Sequence, residues 1–165
     1  QAEDGIRDRS PSRGLGDVYK RQLLRVAVEP FASRAEQAGV RFALHTPAEP
    51  LPIAGDARQL EQAIGNLLDN ALKFTPPGGA VDVTLRREGV AAMLQVSDTG
   101  IGIPPADAPY LFDRFHRAAN ATAYPGSGLG LAIVRAVVAA HGGEVSAAPA
   151  APGATFTVRL PAVTP

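Results

Sequence analysis

Apolar residues return at helical spacing over residues 23–38, where Leu24, Val28, Phe31, Ala32 and Ala35 fall on one face. The next stretch, AGVRFALHTP, alternates Val40, Phe42 and Leu44 with polar neighbours and predicts a strand. A proline-punctuated connection, PAEPLPIAGD, leads to a second helix over residues 56–75, with Asp56 as its N-cap and PPGG as its stop. Alternating strands follow over 81–87 and 90–97, joined by a turn at Glu88 and Gly89. Beyond a glycine-rich loop, YLFDRFHRA predicts a short helix over 110–118, and NATAYPGSGLG is a polar connection. A further helix over 131–140 closes at HGG, where Gly142 or Gly143 suits the left-handed cap position. The strands EVSAA and ATFTVRLP complete the pattern around a small Ala/Pro/Gly turn. Three or four helices with about five strands, mostly antiparallel neighbours, predict an α+β two-layer sandwich on a mixed sheet rather than a doubly wound fold.

Residues 1–22 carry no apolar period and are rich in Arg, Asp, Ser and Gly. They read as an unstructured leader similar to translated adaptor sequence, which leaves a domain over 23–162 and a tail over 163–165. A chain of 165 residues has room for one core. Its 16 basic and 16 acidic residues cancel, so the electrostatic footprint of a nucleic-acid binder is missing. The absence of cysteine removes disulfides and thiolate metal sites and suits a reducing cytoplasm. The thickest apolar run, LGLAIVRAVVAA, is too short to span a bilayer and has Arg135 in its middle, so no membrane contact is expected of this segment.

Chemistry enters through the second helix. At about 100° per residue, Gln62, Asn66, Asn70 and Lys73 share one narrow stripe opposite Leu60, Ile64, Leu67, Leu68 and Ala71. A polar stripe by itself usually faces water, but Asn is a poor choice inside a helix, and here it is chosen twice. An Asn amide oxygen is a neutral hard ligand for Mg²⁺, and a Lys one turn on would neutralise phosphate charge. Such a pairing needs a nucleotide.

Two glycine loops supply candidates for the rest of a pocket. SDTGIGIP sets Asp98 at the end of a strand, where its carboxylate can accept from the exocyclic amine of a base while Gly100 and Gly102 let backbone approach the ring. A simple Asx turn would explain DTG equally well. GSGLGLAIV opens a helix with Gly126, Gly128 and Gly130, a recipe for an anion site that matches neither the dinucleotide fingerprint nor a P-loop.

Taken in order, NLLDNALKFT, DTGIGIP, LFDRFHR and GSGLGLAIV resemble the N, first glycine, F and second glycine boxes of the ATP-binding catalytic domain of bacterial sensor histidine kinases, in the GHKL superfamily. The resemblance covers residues 24–161. It implies the Bergerat ATP-binding fold shared with type II topoisomerases, the Hsp90 chaperones and MutL. It further implies that Asn70 holds Mg²⁺, that Lys73 meets a phosphate with Asn66 beside it, and that Phe74 lines the nucleotide pocket. Asp98 would recognise the adenine amino group with Gly100, Gly102 and Ile103 around it. Arg117 would reach the γ-phosphate. Gly126, Ser127, Gly128, Leu129 and Gly130 would wrap the phosphates beside a mobile lid, positioned by the packing of Phe112 and Phe115. Ala154 stands where many relatives carry Ser or Thr, so no adenine contact is assigned to it.

Hydrolytic relatives carry a glutamate where this chain has Asn66, which cannot take a proton at neutral pH. The resemblance therefore implies slow hydrolysis and transfer of the γ-phosphoryl group to a histidine on a separate helical dimerisation domain, and from there to a response regulator. His45, His116 and His141 lack the acidic residue, basic residue and proline that mark a phospho-acceptor box, and read as surface, packing or capping residues. The expected setting is cytoplasmic, in a parent protein that can be anchored in the bacterial inner membrane. A stand-alone ATPase, a serine/threonine kinase and a non-catalytic nucleotide sensor are the competing readings.

Overall fold

The computed structural model describes residues 21–163 apart from residues 50, 122, 123, 125 and 127. The leader up to residue 20 and Ser127 thus lie outside the described residues. Three helices, α1 (Arg21–Gln37), α2 (Ala57–Lys73) and α3 (Gly130–Ala140), accompany five strands, β1 (Arg41–His45), β2 (Ala80–Glu88), β3 (Ala91–Asp98), β4 (Glu144–Pro149) and β5 (Ala154–Pro161). The sheet runs in the order β1-β2-β3-β5-β4. β1 pairs with β2 in parallel, and the remaining neighbours are antiparallel. Parallel neighbours need a crossover, and α2 supplies it between β1 and β2. This is the expected α+β sandwich with a mixed sheet.

Alternation decides which face of the sheet the helices cover. Val81, Val83 and Leu85 of β2, Ala92, Leu94 and Val96 of β3, and Phe156, Val158 and Leu160 of β5 are buried on one face. Against them lie Leu60, Ile64, Leu67, Leu68, Ala71 and Leu72 of α2 and Val134 and Val138 of α3. The opposite face carries a polar ladder. Gln95 donates to Thr157 at 3.3 Å, and the hydroxyls of Ser97 and Thr155 lie 3.0 Å apart. Among the described residues, no helix is long and apolar enough to cross a membrane.

Local chemistry sets the ends of the elements. The Asp56 carboxylate caps α2 by accepting from the N–H groups of Arg58 and Gln59 at 2.9 and 3.2 Å. Gly142, at φ 77°, takes the left-handed position after α3. The β2–β3 turn is Gly89–Val90, one residue later than expected, because Gly89 holds φ 63° and leaves Val90 exposed.

Two expectations fail between β3 and α3. The helix over 110–118 does not form; a 3₁₀ turn at Ala108–Tyr110 is followed by irregular turns. The Phe115 N–H bonds the Gly128 carbonyl across the loop at 2.9 Å instead of a carbonyl one helical turn earlier, and Phe115 sits at φ 65°. The same conformation turns its ring outward, so Phe115 is 66% exposed and does not pack. Phe112 does pack, edge-on to Phe156 at 6.2 Å.

Candidate functional site

Beside the core lies a cleft of about 310 Å³. The half of α2 that is not buried against the sheet forms one wall, and the stripe inferred from periodicity supplies Asn66, Asn70 and Lys73 to it. Gln62, one turn earlier, is exposed outside the cleft. Phe74 caps the C-terminus of α2, its ring edge-on to Tyr124 at 4.9 Å and 5.0 Å from Lys73 Nζ. Asp69 also lines the cleft, and Arg34 of α1 holds its carboxylate at 2.9 Å.

Asp98 closes β3, lines the cleft and is 7% exposed. Burial pushes its carboxyl above the usual value, opposed by hydrogen bonds from the N–H groups of Gly100 and Ala154. The Gly100 bond is 2.9 Å long. Gly100 itself does not line the cleft; a Cβ there would lie 2.2 Å from the Phe74 carbonyl oxygen, so its smallness lets the loop fold back on the end of α2. Gly102 and Ile103 line the cleft, as inferred. Gly153 is a residue the sequence analysis passed over: at φ 94°, it brings its α-carbon so close that a Cβ would meet the Asp98 carbonyl oxygen at 1.9 Å. Only the β3–β5 register, which pairs Asp98 with Ala154, brings the two together.

The third wall comes from residues 111–121 and the start of α3. Arg117 lines the cleft, but its guanidinium donates to the carbonyls of Ala121, at 2.8 Å, and Tyr124. It is thus engaged with its own segment rather than extended into the cleft. Asn120, which in the sequence is marked only as part of a polar connection, donates to the carbonyls of Ile101 and Gly102 at 3.2 and 3.1 Å. Asp107 steadies the same segment, with one oxygen 3.1 Å from His116 Nε2 and the other accepting from the Ala119 N–H at 3.0 Å.

Gly126, Gly128 and Gly130 line the cleft; Leu129 does not. Leu129 is instead the N-cap of α3 and offers no side-chain hydrogen bond, so the first N–H groups of α3 start without a side-chain cap. Such a terminus favours an anion. Gly128 has φ 79°, and a Cβ on it would lie 2.7 Å from the Phe115 backbone, which explains the glycine.

The histidines behave as structural groups. His45 pairs with Asp82 on the surface at 3.2 Å. His141 Nδ1 lies 2.8 Å from the Val137 carbonyl, and its Nε2 accepts the Asp56 N–H at 3.0 Å.

The cleft therefore offers a buried carboxylate beside closely approaching backbone, suited to a flat heterocycle with an exocyclic amine. It also offers amides, an ammonium and a helix start whose N-cap has no side-chain bond, suited to a chain of phosphates. Among the described residues, no group of three His, Asp or Glu side chains can cage a metal. A divalent ion carried by phosphates needs few protein oxygens, and the Asn70 amide fits that requirement.

A family model for histidine kinase-, DNA gyrase B-, and HSP90-like ATPases matches residues 55–164. The signal transduction histidine-protein kinase/phosphatase MprB of Mycobacterium avium is 43% identical over 153 residues, which cover 89% of this chain and 28% of that protein. The chain thus spans under a third of that relative's length. A solved structure of the mycobacterial sensor histidine kinase MprB aligns with a TM-score of 0.78 at 38% identity, covering 86% of this chain and 94% of the other. Full-length ShkA in complex with AMPPNP aligns at 0.75 and 32% identity, over 87% of this chain and 30% of that one.

Proposed function

Because the chain belongs to the histidine kinase-, DNA gyrase B-, and HSP90-like ATPase family, we propose that its cleft binds Mg-ATP and delivers the γ-phosphoryl group to a histidine on a separate phospho-acceptor domain. The observation that carries this reading is the lining of one cleft, which joins the buried Asp98 carboxylate to Asn70, Lys73 and the start of α3. In this reading the unit works in the cytoplasm within a longer sensor protein anchored in the inner membrane. The acceptor domain passes the phosphoryl group to a response regulator.

Transfer joins an imidazole nitrogen to the γ-phosphorus as the bond to the β–γ bridging oxygen breaks, and ADP leaves with that electron pair. Mg²⁺, when bound, draws charge from the phosphates. The protein's task is positioning and charge neutralisation. Asp98 accepts from the adenine amine and so fixes the base. Asn70 offers the metal an amide oxygen, Lys73 offsets phosphate charge, and the first N–H groups of α3 receive the phosphate oxygens. Arg117 serves the γ-phosphate after exchanging its carbonyl partners for it. Ser127 belongs to the same glycine loop and is assigned with it. Hydrolysis is disfavoured because Asn66 is no base and Asp69 is paired with Arg34.

Calorimetry of ATP binding with and without Mg²⁺ tests this reading. Asp98→Ala is expected to abolish measurable binding, and Asn70→Ala to remove the Mg²⁺-dependent part. Transfer to an added acceptor domain is expected of the wild type alone. Unaltered transfer by Asn70→Ala would remove the metal assignment, and binding without transfer would favour a nucleotide sensor.

A further inference from the structure

α2 and α3 lie against each other and are tied at two points. At one, Asn66 Nδ2 donates to the Gly130 carbonyl at 3.2 Å; at the other, the Asp56 N–H donates to His141 Nε2 at 3.0 Å. Ten residues separate Asp56 from Asn66, and eleven separate Gly130 from His141. At about 1.5 Å per residue both spans are roughly 15–17 Å, so the ties sit at matching positions along an antiparallel pair, at the two ends of α3 and at the start and middle of α2. The far tie is buttressed by Gly55, where a Cβ would lie 2.3 Å from the His141 ring. The near tie lies within the cleft, which both Asn66 and Gly130 line.

We infer that Asn66 is a positioning residue that acts through Gly130: its amide fixes the first turn of α3 relative to the Asn70–Lys73 stripe. A carbonyl oxygen only accepts, so it is the NH₂ of Asn66 that faces Gly130. The fixed element is the helix start whose N-cap, Leu129, offers no side-chain hydrogen bond; its first N–H groups are useful to an anion only if held in register with Lys73. A Cβ on Gly130 would meet nothing within 4 Å, so no neighbouring side chain braces that residue itself, although Leu131 beside it packs against the core. The hydrogen bond from α2 adds a directional tie to that packing. Asparagine suits position 66 because it is short, neutral and a donor. Aspartate, of the same shape, would set a carboxylate against the carbonyl.

The effect on nucleotide affinity rests on the proposed reading of the cleft as an ATP site, whereas the tie itself does not. The test compares Asn66→Ala and Asn66→Asp with the wild-type chain by amide hydrogen exchange without nucleotide, and by calorimetry with ADP and ATP. Exchange over residues 133–136, the first amides bonded within α3, is expected to rise at least tenfold in both variants, while residues 137–140, held by the His141 tie, keep wild-type protection. ADP and ATP affinities are expected to fall about tenfold in both, with Asp no better than Ala. Unchanged exchange over 133–136 in Asn66→Ala would overturn the inference. So would wild-type affinity or faster ATP turnover in Asn66→Asp, because the side chain would then act on the nucleotide or on water. If Asn66→Asp does not fold, Asn66→Ala carries both readouts. If the wild type itself fails to bind nucleotide, the ATP reading falls while the exchange result still decides the tie.

Discussion

Across the cleft from one another stand α2 and the segment over residues 111–121, and they are held in place differently. The seven buried residues of α2 are all apolar and press on the sheet, beneath an Asp56 cap and ahead of Thr75, whose hydroxyl donates to the Ala71 carbonyl at 2.7 Å. The facing segment buries Leu111, Phe112 and Ala121 but otherwise rests on hydrogen bonds between side chains and backbone, with Arg117 and Asn120 donating to carbonyls and Asp107 accepting from an N–H. Packing ties α2 to the global stability of the domain. A few polar contacts hold the facing segment less firmly, so it is expected to open at lower cost than α2.

Substitutions can break this contrast, and the largest expected effect lies in the α2 core. Leu68 is fully buried, and Leu68→Ala is expected to cost about 3 kcal/mol in urea unfolding. A loss below about 1 kcal/mol would mean that α2 is not the packed wall described. Next comes Asp98→Asn, expected to weaken ATP binding by roughly 2 kcal/mol, about 30-fold, through loss of a charged acceptor.

The same Asp98→Asn substitution is expected to raise the melting temperature of the nucleotide-free protein near neutral pH. Because burial raises the folded carboxyl above its ordinary 3.8, the folded state binds the proton more tightly than the unfolded chain. This contribution to stability is therefore full below 3.8 and is lost as pH rises through the folded value. Melting temperatures across acid to neutral pH should show that decline in the wild type and its flattening in Asp98→Asn. A decline of equal size in both would assign it to other carboxylates.

Smaller effects sharpen the comparison. Asp56→Ala is expected to cost about 1 kcal/mol, the usual worth of a side-chain N-cap, read as a shift in denaturation midpoint at constant slope. Asn120→Ala is expected to change global stability by less than about 0.5 kcal/mol. Hydrogen exchange should nevertheless quicken over 101–103 and 118–121. A global loss as large as that of Asp56→Ala would erase the distinction between the two walls.

The residues of α2 were legible from the chain because period and capping are local. Leucines at helical spacing, Asp56 before them and the Asn66–Lys73 stripe opposite already state which side faces the core and which faces the cleft. The glycine loops, and the family resemblance they share with that stripe, were likewise visible, as was the α+β sandwich. The tertiary structure alone decided the left-handed turn at Phe115, the packing of Gly153 against Asp98, and the carbonyl partners of Arg117, Asn120 and Asn66. In each of these the partner is main chain. Every residue carries a carbonyl, so no sequence pattern marks which one a distant donor will reach; that choice exists only once the sheet register and the packing of α3 on α2 have brought the two together.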